Sequence, residues 1–201
     1  MNFTPPDLTF DAARHRYAFA GREQLSVTTA LKDAGLIDTF WYTAGDAGRG
    51  TRLAIAVERL HRPGAQTIDD VAHDVEVAPY FAAYRAFLQY GNFCVHANEE
   101  RLCDPALNVA GTLDLRGVFS DSDGGTLDVI DIKSGAVPTW VGYQTAGYVR
   151  LLPPIVARRC RRWCLQLRVD ATYRLIPLTK RSDEQVFLAA VTVAQAKRGW
   201  L

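Results

Sequence analysis

Two acids and a lysine in the middle of the chain have the types and spacing to do chemistry together. Asp114 lies in one extended run of residues, and Asp131 and Lys133 lie in the next. Carboxylate oxygens are the ligands that hard divalent cations such as Mg²⁺ take in proteins. A neighbouring ammonium can orient a water or stabilise a developing negative charge. A set of this kind suits the hydrolysis of a phosphodiester bond.

Alternation along the second run places Asp131 and Lys133 on one face of a β-strand. Residues that alternate along a strand share a face, and Ile130 and Ile132 occupy the opposite one. An apolar face indicates contact with the protein core. It therefore favours a strand that presents its charges to a site over the alternative, an edge strand whose charges face water.

The turn between the two runs determines where Asp114 points. Residues 120–125 are rich in Ser, Asp and Gly, so they predict a hairpin between strands at 109–120 and 126–133. An even number of loop residues would place Asp114 opposite Asp131 or Lys133, on the same face, whereas an odd number would turn it away. Two carboxylates held this close repel each other unless a cation neutralises them.

A helix predicted at 141–152 adds two polar side chains. Gln144 and Tyr148 are four residues apart, so they lie one above the other on a helix face. An amide and a phenol hydroxyl can both bond phosphate oxygens. The alternative is a tyrosine packed at the edge of the core beside a solvated glutamine.

Taken in order, these motifs closely resemble those of the PD-(D/E)XK nuclease superfamily. The motifs are Gly-Thr-Leu-Asp114, Asp131-Ile-Lys133 and Gln144-Thr-Ala-Gly-Tyr148. They are most similar to the RecB-like and lambda-exonuclease-like branches, in which Q-x-x-x-Y follows D-x-K. The resemblance implies a restriction-endonuclease-like core and a small phage-type member.

The resemblance extends upstream, with one departure. Residues 25–31 resemble the opening of small phage-encoded members, and residues 50–58 resemble a helical G-T-x-x-H-x-x-x-E segment. The family's helical histidine, often a metal ligand, falls at Ala54, which cannot bind metal. Lambda-exonuclease-like members use a helical glutamate instead, and Glu58 matches it. His61, one turn further, could substitute as a ligand; an ordinary solvated position on the helix is the alternative for both residues.

The resemblance assigns roles to the residues that match its motifs. The catalytic residues would be Asp114, Asp131 and Lys133, the ligands of Mg²⁺ or Mn²⁺ would be Asp114, Asp131, Ile132 through its backbone carbonyl and Glu58, and the phosphate-binding residues would be Gln144 and Tyr148. Acids close to the preceding strand also recur in relatives. Of Glu99 and Glu100, we expect Glu100 to face the site.

The function implied is that of a metal-dependent deoxyribonuclease. An exonuclease is favoured over an endonuclease, acting on duplex ends or single strands in DNA recombination, repair or phage DNA processing. A homo-oligomeric ring or a recombination partner protein is compatible with that reading. One alternative is a catalytically inactive module that keeps the fold and binds DNA or protein. Another is a structural protein whose charged strand is ordinary surface.

Composition shows where nucleic acid could bind. The formal net charge of the 201 residues is only +1, so no overall basic field attracts DNA and any contact must come from local clusters. Arg158 and Arg159 begin an arginine-rich run that could grip phosphates. The alternative is a solvated basic surface.

Hydropathy and cysteine usage indicate the compartment. No apolar run reaches the length of a membrane span, and residues 1–6 lack the features of a signal peptide. We therefore expect a cytoplasmic protein, in a bacterium or a phage-infected cell, with its 4 cysteines reduced. Their loose spacing does not favour an iron–sulfur cluster.

The order of elements predicts a mixed α/β fold. The hydrophobic fraction of 48% suits a globular domain with a core, and we expect one domain over residues 1–201. An N-terminal hairpin and helical region at about 1–92 would precede a catalytic core at about 93–201. A strand meander followed by the 141–152 crossover helix implies a central mixed sheet with helices on both faces, although the order is locally α+β-like.

Overall fold

Eight strands form one mixed sheet with helices on both of its faces. This architecture comes from a computed structural model that describes residues 2–37, 44–62, 71, 73–122 and 125–201. It confirms the predicted α/β class with a flanked central sheet. The strands are β1 (Leu8–Asp11), β2 (Arg16–Phe19), β3 (Arg22–Ser26), β4 (Phe93–Asp104), β5 (Val109–Phe119), β6 (Leu127–Ser134), β7 (Cys160–Leu167) and β8 (Tyr173–Pro177). The described helices are α1 (Val27–Asp33), α2 (Ala44–Leu60), α3 (Ala78–Tyr90), α4 (Val141–Arg150), α5 (Pro154–Ala157) and α6 (Ser182–Lys197).

Strand β5 pairs with three other strands of the sheet. It pairs antiparallel with β4 along its whole length, so its remaining partners share its other edge. On that edge β3 pairs parallel at Val109 and Ala110, and β6 pairs antiparallel at residues 115–117. Residues 111–114 lie between these two ladders. The sheet therefore opens a notch at the position of Asp114.

Among the described residues, the two larger apolar clusters lie on opposite faces of the sheet, and a third, smaller one contains Leu8 and Tyr17 of the N-terminal strands. Val57 and Phe87, from α2 and α3, pack in the cluster that contains Ile130. Val27 of α1 and Phe187 of α6 pack in the other cluster, which contains Val129. Neighbouring residues of β6 thus enter different layers, as the alternation in the sequence predicts.

Strand β3 was not predicted. A tight turn connects it to β2, and both turn residues, Ala20 and Gly21, have positive φ, at 47° and 79°. An alanine is an unusual residue for this backbone region, so the usual Asn-Gly or Asp-Gly hairpin signal is missing. The sequence predicts that Ser26 or Thr28 caps the helix that follows, and Ser26 does so, because its Oγ accepts a hydrogen bond from the Thr29 amide at 3.0 Å.

Some predicted helix boundaries need correction. Helix α2 begins at Ala44, two residues before Asp46, so Asp46 is not its cap. Helix α6 begins at Ser182 with no side-chain cap, because the Asp183 carboxylate pairs with Arg162 at 3.1 Å instead. The capping box predicted at 67–70 lies outside the described residues. None of the described helices has the length and apolar character to cross a membrane.

Candidate active site

The register of the β5–β6 hairpin brings the two acids together. Leu115 pairs with Ile130, and one further step along both strands places Asp114 opposite Asp131. Of the two alternatives, the hairpin thus has the loop with an even number of residues, and Asp114 lies on the same face as Asp131. At this point the Ile132 amide donates a hydrogen bond to Asp114 Oδ2 at 2.7 Å instead of continuing the ladder. The Asp114 carboxylate thus occupies the notch in the sheet.

Asp131 and Lys133 form a close ion pair beneath the notch. Lys133 Nζ lies 2.6 Å from Asp131 Oδ2, and only 1% of the Asp131 side chain is exposed. The ammonium and the carboxylate are therefore in direct contact as an ion pair. Neither carboxylate oxygen of Asp131 has another donor among the described residues. A buried carboxylate with so little compensation is ready to accept a cation.

Helix α4 holds the lysine from the other side. Lys133 Nζ donates to Gln144 Oε1 at 3.2 Å. The Gln144 amide nitrogen donates in turn to Tyr148 Oη and to Thr28 Oγ1, both at 3.1 Å. Gln144 and Tyr148 therefore share a helix face as predicted, and both are buried behind Lys133. Thr28 was missed, although it lies in the 25–31 segment that carries part of the family resemblance.

Gly111 explains how Tyr148 can lie so close to β5. A Cβ at position 111 would stand 2.8 Å from the Tyr148 ring and 3.1 Å from Val27. Any larger residue would push the tyrosine, and with it the Gln144 amide, away from the strand. The glycine that opens the Gly-Thr-Leu-Asp motif is thus a packing requirement of the site.

The three charged groups perturb one another strongly. Burial, and then the charge of Asp131, raise the pKa of Asp114 to about 7. Burial also raises the pKa of Asp131, against the lowering effect of Lys133. Burial alone would lower the pKa of Lys133, but the charges of Asp131 and Asp114 outweigh it and the pKa rises. Two carboxylates thus compete for one ammonium.

This competition predicts a pH-dependent stability in the presence of chelator. Between about pH 4 and pH 7 folded Asp114 still holds a proton that the unfolded chain has lost, so raising the pH through this window lowers stability. Relative to Asp114→Asn, the wild type should lose on the order of 2 kcal/mol of unfolding free energy between pH 5 and pH 8. Urea unfolding of both proteins in EDTA measures this. Parallel pH curves would contradict the shift.

A small cavity adjoins Asp114 on the side of α2. Its volume is about 60 Å³, and its lining includes Ala54, Glu99, Asp114 and Ile132. That volume can accommodate a few waters or a hydrated cation. Ala54 stands where the resemblance expects a metal-binding histidine, so the alignment places this position correctly beside the acids. The small Ala54 side chain leaves space at this position and has no atom that could bind a metal.

Glu99, not Glu100, is the acid that faces this cavity. Glu100 is buried in a two-point ion pair with Arg116, at 2.6 and 2.8 Å, so the expectation for Glu100 is wrong. Burial, and then the charges of Asp114 and Glu58, raise the pKa of Glu99 to about 8. Its backbone has a positive φ of 49°, and the β4–β5 register places it opposite Asp114, between the pairs Asn98–Leu115 and Glu100–Leu113.

The two candidate ligands after Ala54 are engaged elsewhere. Glu58 pairs with Arg62 at 2.8 Å on the helix surface, and its charge reaches the site through its effect on Glu99. His61 Nε2 lies 2.6 Å from Tyr84 Oη, and burial lowers the pKa of the imidazole. The structure therefore directs His61 to Tyr84 and not into the cavity.

The arginines predicted to bind DNA lie apart from this site. Arg158 and Arg159 are both exposed. Arg158 borders a broad groove beside α4, whereas Arg159 is not part of its lining. Neither borders the cavity beside Asp114.

The donor set fits a hard divalent cation. Two carboxylates, Asp114 and Asp131, and the backbone carbonyl of Ile132 all offer oxygen ligands, and the Asp131 oxygens have no donor among the described residues other than Lys133. Within the described ranges no group of three or more His, Cys, Asp and Glu side chains is arranged around a metal position. The protein's share is thus small, as is common for Mg²⁺, which keeps several waters.

Three solved structures align with most of this chain. A protein from Eubacterium rectale, named as a predicted exonuclease, is 12% identical, with a TM-score of 0.54 over 89% of this chain and 82% of that one. LHK-Exo in complex with dAMP is 17% identical, with a TM-score of 0.36 over 87% of each chain. LHK-Exo described as an alkaline exonuclease from Laribacter hongkongensis is 18% identical, with a TM-score of 0.29 over 88% of this chain and 92% of that one.

Sequence comparisons add no assignment. No family model matches the chain, and no curated protein matches it. At 12% identity the Eubacterium rectale structure bears on architecture only. The chain accordingly shares the fold of that protein.

Proposed function

We propose that this protein is a metal-dependent DNA nuclease of the PD-(D/E)XK superfamily, in its RecB-like and lambda-exonuclease-like branch. The observation that carries the proposal is the buried Asp131 carboxylate, which lies opposite Asp114 and 2.6 Å from Lys133 and has no other donor to its oxygens among the described residues. The likeness of fold to a protein named as an exonuclease supports it.

Asp114, Asp131 and the carbonyl of Ile132 would hold Mg²⁺ or Mn²⁺. Such an ion, when bound, supplies a Lewis acid and lowers the pKa of a coordinated water. The carboxylates provide the negative charge that retains the ion, and Lys133 is left to act on the substrate. Its ammonium stabilises the extra negative charge that develops on the scissile phosphate.

The residues behind Lys133 fix its direction. Gln144 accepts from the ammonium, and Tyr148 and Thr28 accept from the Gln144 amide, so the carbonyl of Gln144 cannot rotate away without losing these bonds. An ammonium that is already oriented in this way does not have to reorient during the reaction. Gln144 and Tyr148 would then act on the phosphate indirectly, by positioning Lys133, in addition to any direct contact.

We infer an exonuclease acting on DNA ends in the cytoplasm, in recombination, repair or phage DNA processing. A catalytically inactive module is the second candidate, and two observations favour it. Ala54 removes the family's histidine, and Lys133 already neutralises Asp131. Calorimetric titration with Mn²⁺ separates the two, because a competent site binds the ion.

The test of the proposed function is DNA cleavage. End-labelled linear duplex and closed circular DNA are incubated with the protein, with and without Mn²⁺. An exonuclease degrades the linear DNA only, and only with metal. Cleavage of both forms would indicate an endonuclease. Intact DNA in all samples, although Mn²⁺ binds, would reject the hydrolytic function.

A further inference from the structure

A broad groove lies on the far side of α4 from the catalytic group. Its volume is about 620 Å³, and α4, α5 and the start of α6 border it. Its charged lining consists of Arg150, Arg158, Arg162, Lys180, Arg181 and Glu184. We call these residues and their apolar floor the basic groove.

The basic groove concentrates positive charge in a nearly neutral protein. Of its five cationic lining side chains, Arg150 and Arg162 pair with Asp104 and Asp183 at 3.0 and 3.1 Å, and the other three face a single acid, Glu184. The whole chain, in contrast, has a formal net charge of only +1. A concave surface of one sign also focuses its field on an approaching ion.

Helix α4 separates the basic groove from the catalytic group. Gln144 and Tyr148 occupy one face of the helix, and the groove is lined by Ala146, Val149 and Arg150. At 3.6 residues per turn the second set lies on the opposite face of the first. The basic groove is therefore a separate surface joined to the site by one rigid element.

Three of the cations are available to a ligand. Arg158, Lys180 and Arg181 are exposed and form no ion pair with a described residue. Arg162, in contrast, is mostly buried; it donates to the carbonyls of Gly142 and Lys180 at 2.7 and 2.8 Å. Arg162 thereby ties the segment that carries Lys180 and Arg181 to the first turn of α4.

The floor of the basic groove indicates which part of a ligand it contacts. Ala146, Val149, Leu152 and Ala157 are small or aliphatic, and no residue of the lining is aromatic. Proteins that hold bases of a single strand stack them on aromatic rings. This groove offers charge without stacking, so it suits phosphates and is indifferent to sequence.

We propose that the basic groove binds the phosphate backbone of a nucleic-acid strand at a position distinct from the catalytic site. The inference deepens the proposed nuclease function, because a strand held there keeps the protein on long DNA while the site works at an end. Binding in the groove needs neither metal nor hydrolysis.

The test is oligonucleotide binding in EDTA, measured by fluorescence anisotropy with a labelled single strand. The triple variant Arg158→Gln, Lys180→Gln, Arg181→Gln should bind at least about tenfold more weakly at moderate salt. Three lost phosphate contacts should also reduce the slope of log K against log salt by about 2. Thermal unfolding shows that the variant is folded.

A matched control removes the same charge elsewhere. Arg22, Arg85 and Arg174 are exposed and form no ion pair with a described residue. Their triple Gln variant should keep most of the affinity and the full salt slope. Equal losses in both triple variants would overturn the inference. So would a groove variant that loses binding of dAMP but not of the oligonucleotide, because the site would then hold mononucleotides.

The outcome is independent of the cleavage assay. Groove-specific binding without any cleavage leaves the inference standing and removes the nuclease function. If the wild type cleaves DNA but the groove and control variants bind DNA equally well, the nuclease function stands and the inference about the groove falls.

Discussion

Replacing Asp131 by asparagine should abolish DNA cleavage and leave the protein folded. The carboxylate is buried, its only close donor among the described residues is Lys133, and burial raises its pKa, so its charge is costly in the absence of metal. The amide has nearly the same volume, and Asp114 remains to balance the Lys133 ammonium, so the unfolding free energy should not fall by more than about 1 kcal/mol. Cleavage of linear duplex, Mn²⁺ titration and urea unfolding measure the three effects.

Asp128 provides the matched control, because it is an equally buried acid on the same strand. Its oxygens accept from Arg161 Nε at 2.7 Å, from Trp163 Nε1 at 2.8 Å and from the Phe119 amide at 3.2 Å. Asp128→Asn breaks a satisfied network and should cost about 2 kcal/mol of stability, with Arg161 partly exposed to water. Its activity per folded molecule should survive.

The two substitutions should therefore give opposite results. Asp131→Asn loses function and keeps stability, and Asp128→Asn loses stability and keeps function. Residual metal-dependent cleavage by Asp131→Asn, or a large loss of its stability, would show that Asp131 is a structural acid like Asp128.

Lys133→Ala should slow cleavage by about 100-fold or more while DNA and Mn²⁺ still bind. The ammonium is fixed between Asp131 and Gln144 and faces the Trp140 ring at 5.2 Å. Losing one preorganised charge donor typically costs this much in rate. Single-turnover cleavage at saturating Mn²⁺ measures the chemical step, and calorimetry measures metal binding.

Removal of the ammonium also leaves the Asp131 carboxylate free for the metal, because Lys133 and Mn²⁺ compete for it. Mn²⁺ affinity of Lys133→Ala should therefore equal or exceed that of the wild type. Lys197→Ala is the control for the loss of one positive charge, since Lys197 donates to the Asp33 carbonyl at the protein surface. Undiminished cleavage by Lys133→Ala would refute its role in the reaction.

The candidate catalytic group can be located in the amino-acid sequence because its pattern is local. Alternation along β6 fixes the common face of Asp131 and Lys133, and i, i+4 spacing fixes that of Gln144 and Tyr148. These periods follow from backbone geometry and do not depend on the rest of the chain. The even loop is one of two possibilities that the sequence allows, and the register of the hairpin selects it.

Contacts between distant segments are beyond the reach of such patterns. Thr28 meets Gln144 only because β3 docks beside β5, a pairing with no periodic signature. Glu99 replaces Glu100 at the cavity because the β4–β5 register places Glu99 opposite Asp114, between the pairs Asn98–Leu115 and Glu100–Leu113, and neither strand by itself reveals that register.

Local geometry thus specifies which side chains of one element share a face, and the amino-acid order alone carries that information here. Which faces then meet depends on the packing of whole elements. The notch at Asp114 and the basic groove behind α4 both arise from segments far apart in the chain. The positions of the notch and the groove follow from burying apolar side chains on both faces of one sheet. The free energy of that burial depends on the whole chain, so no short stretch of sequence determines it.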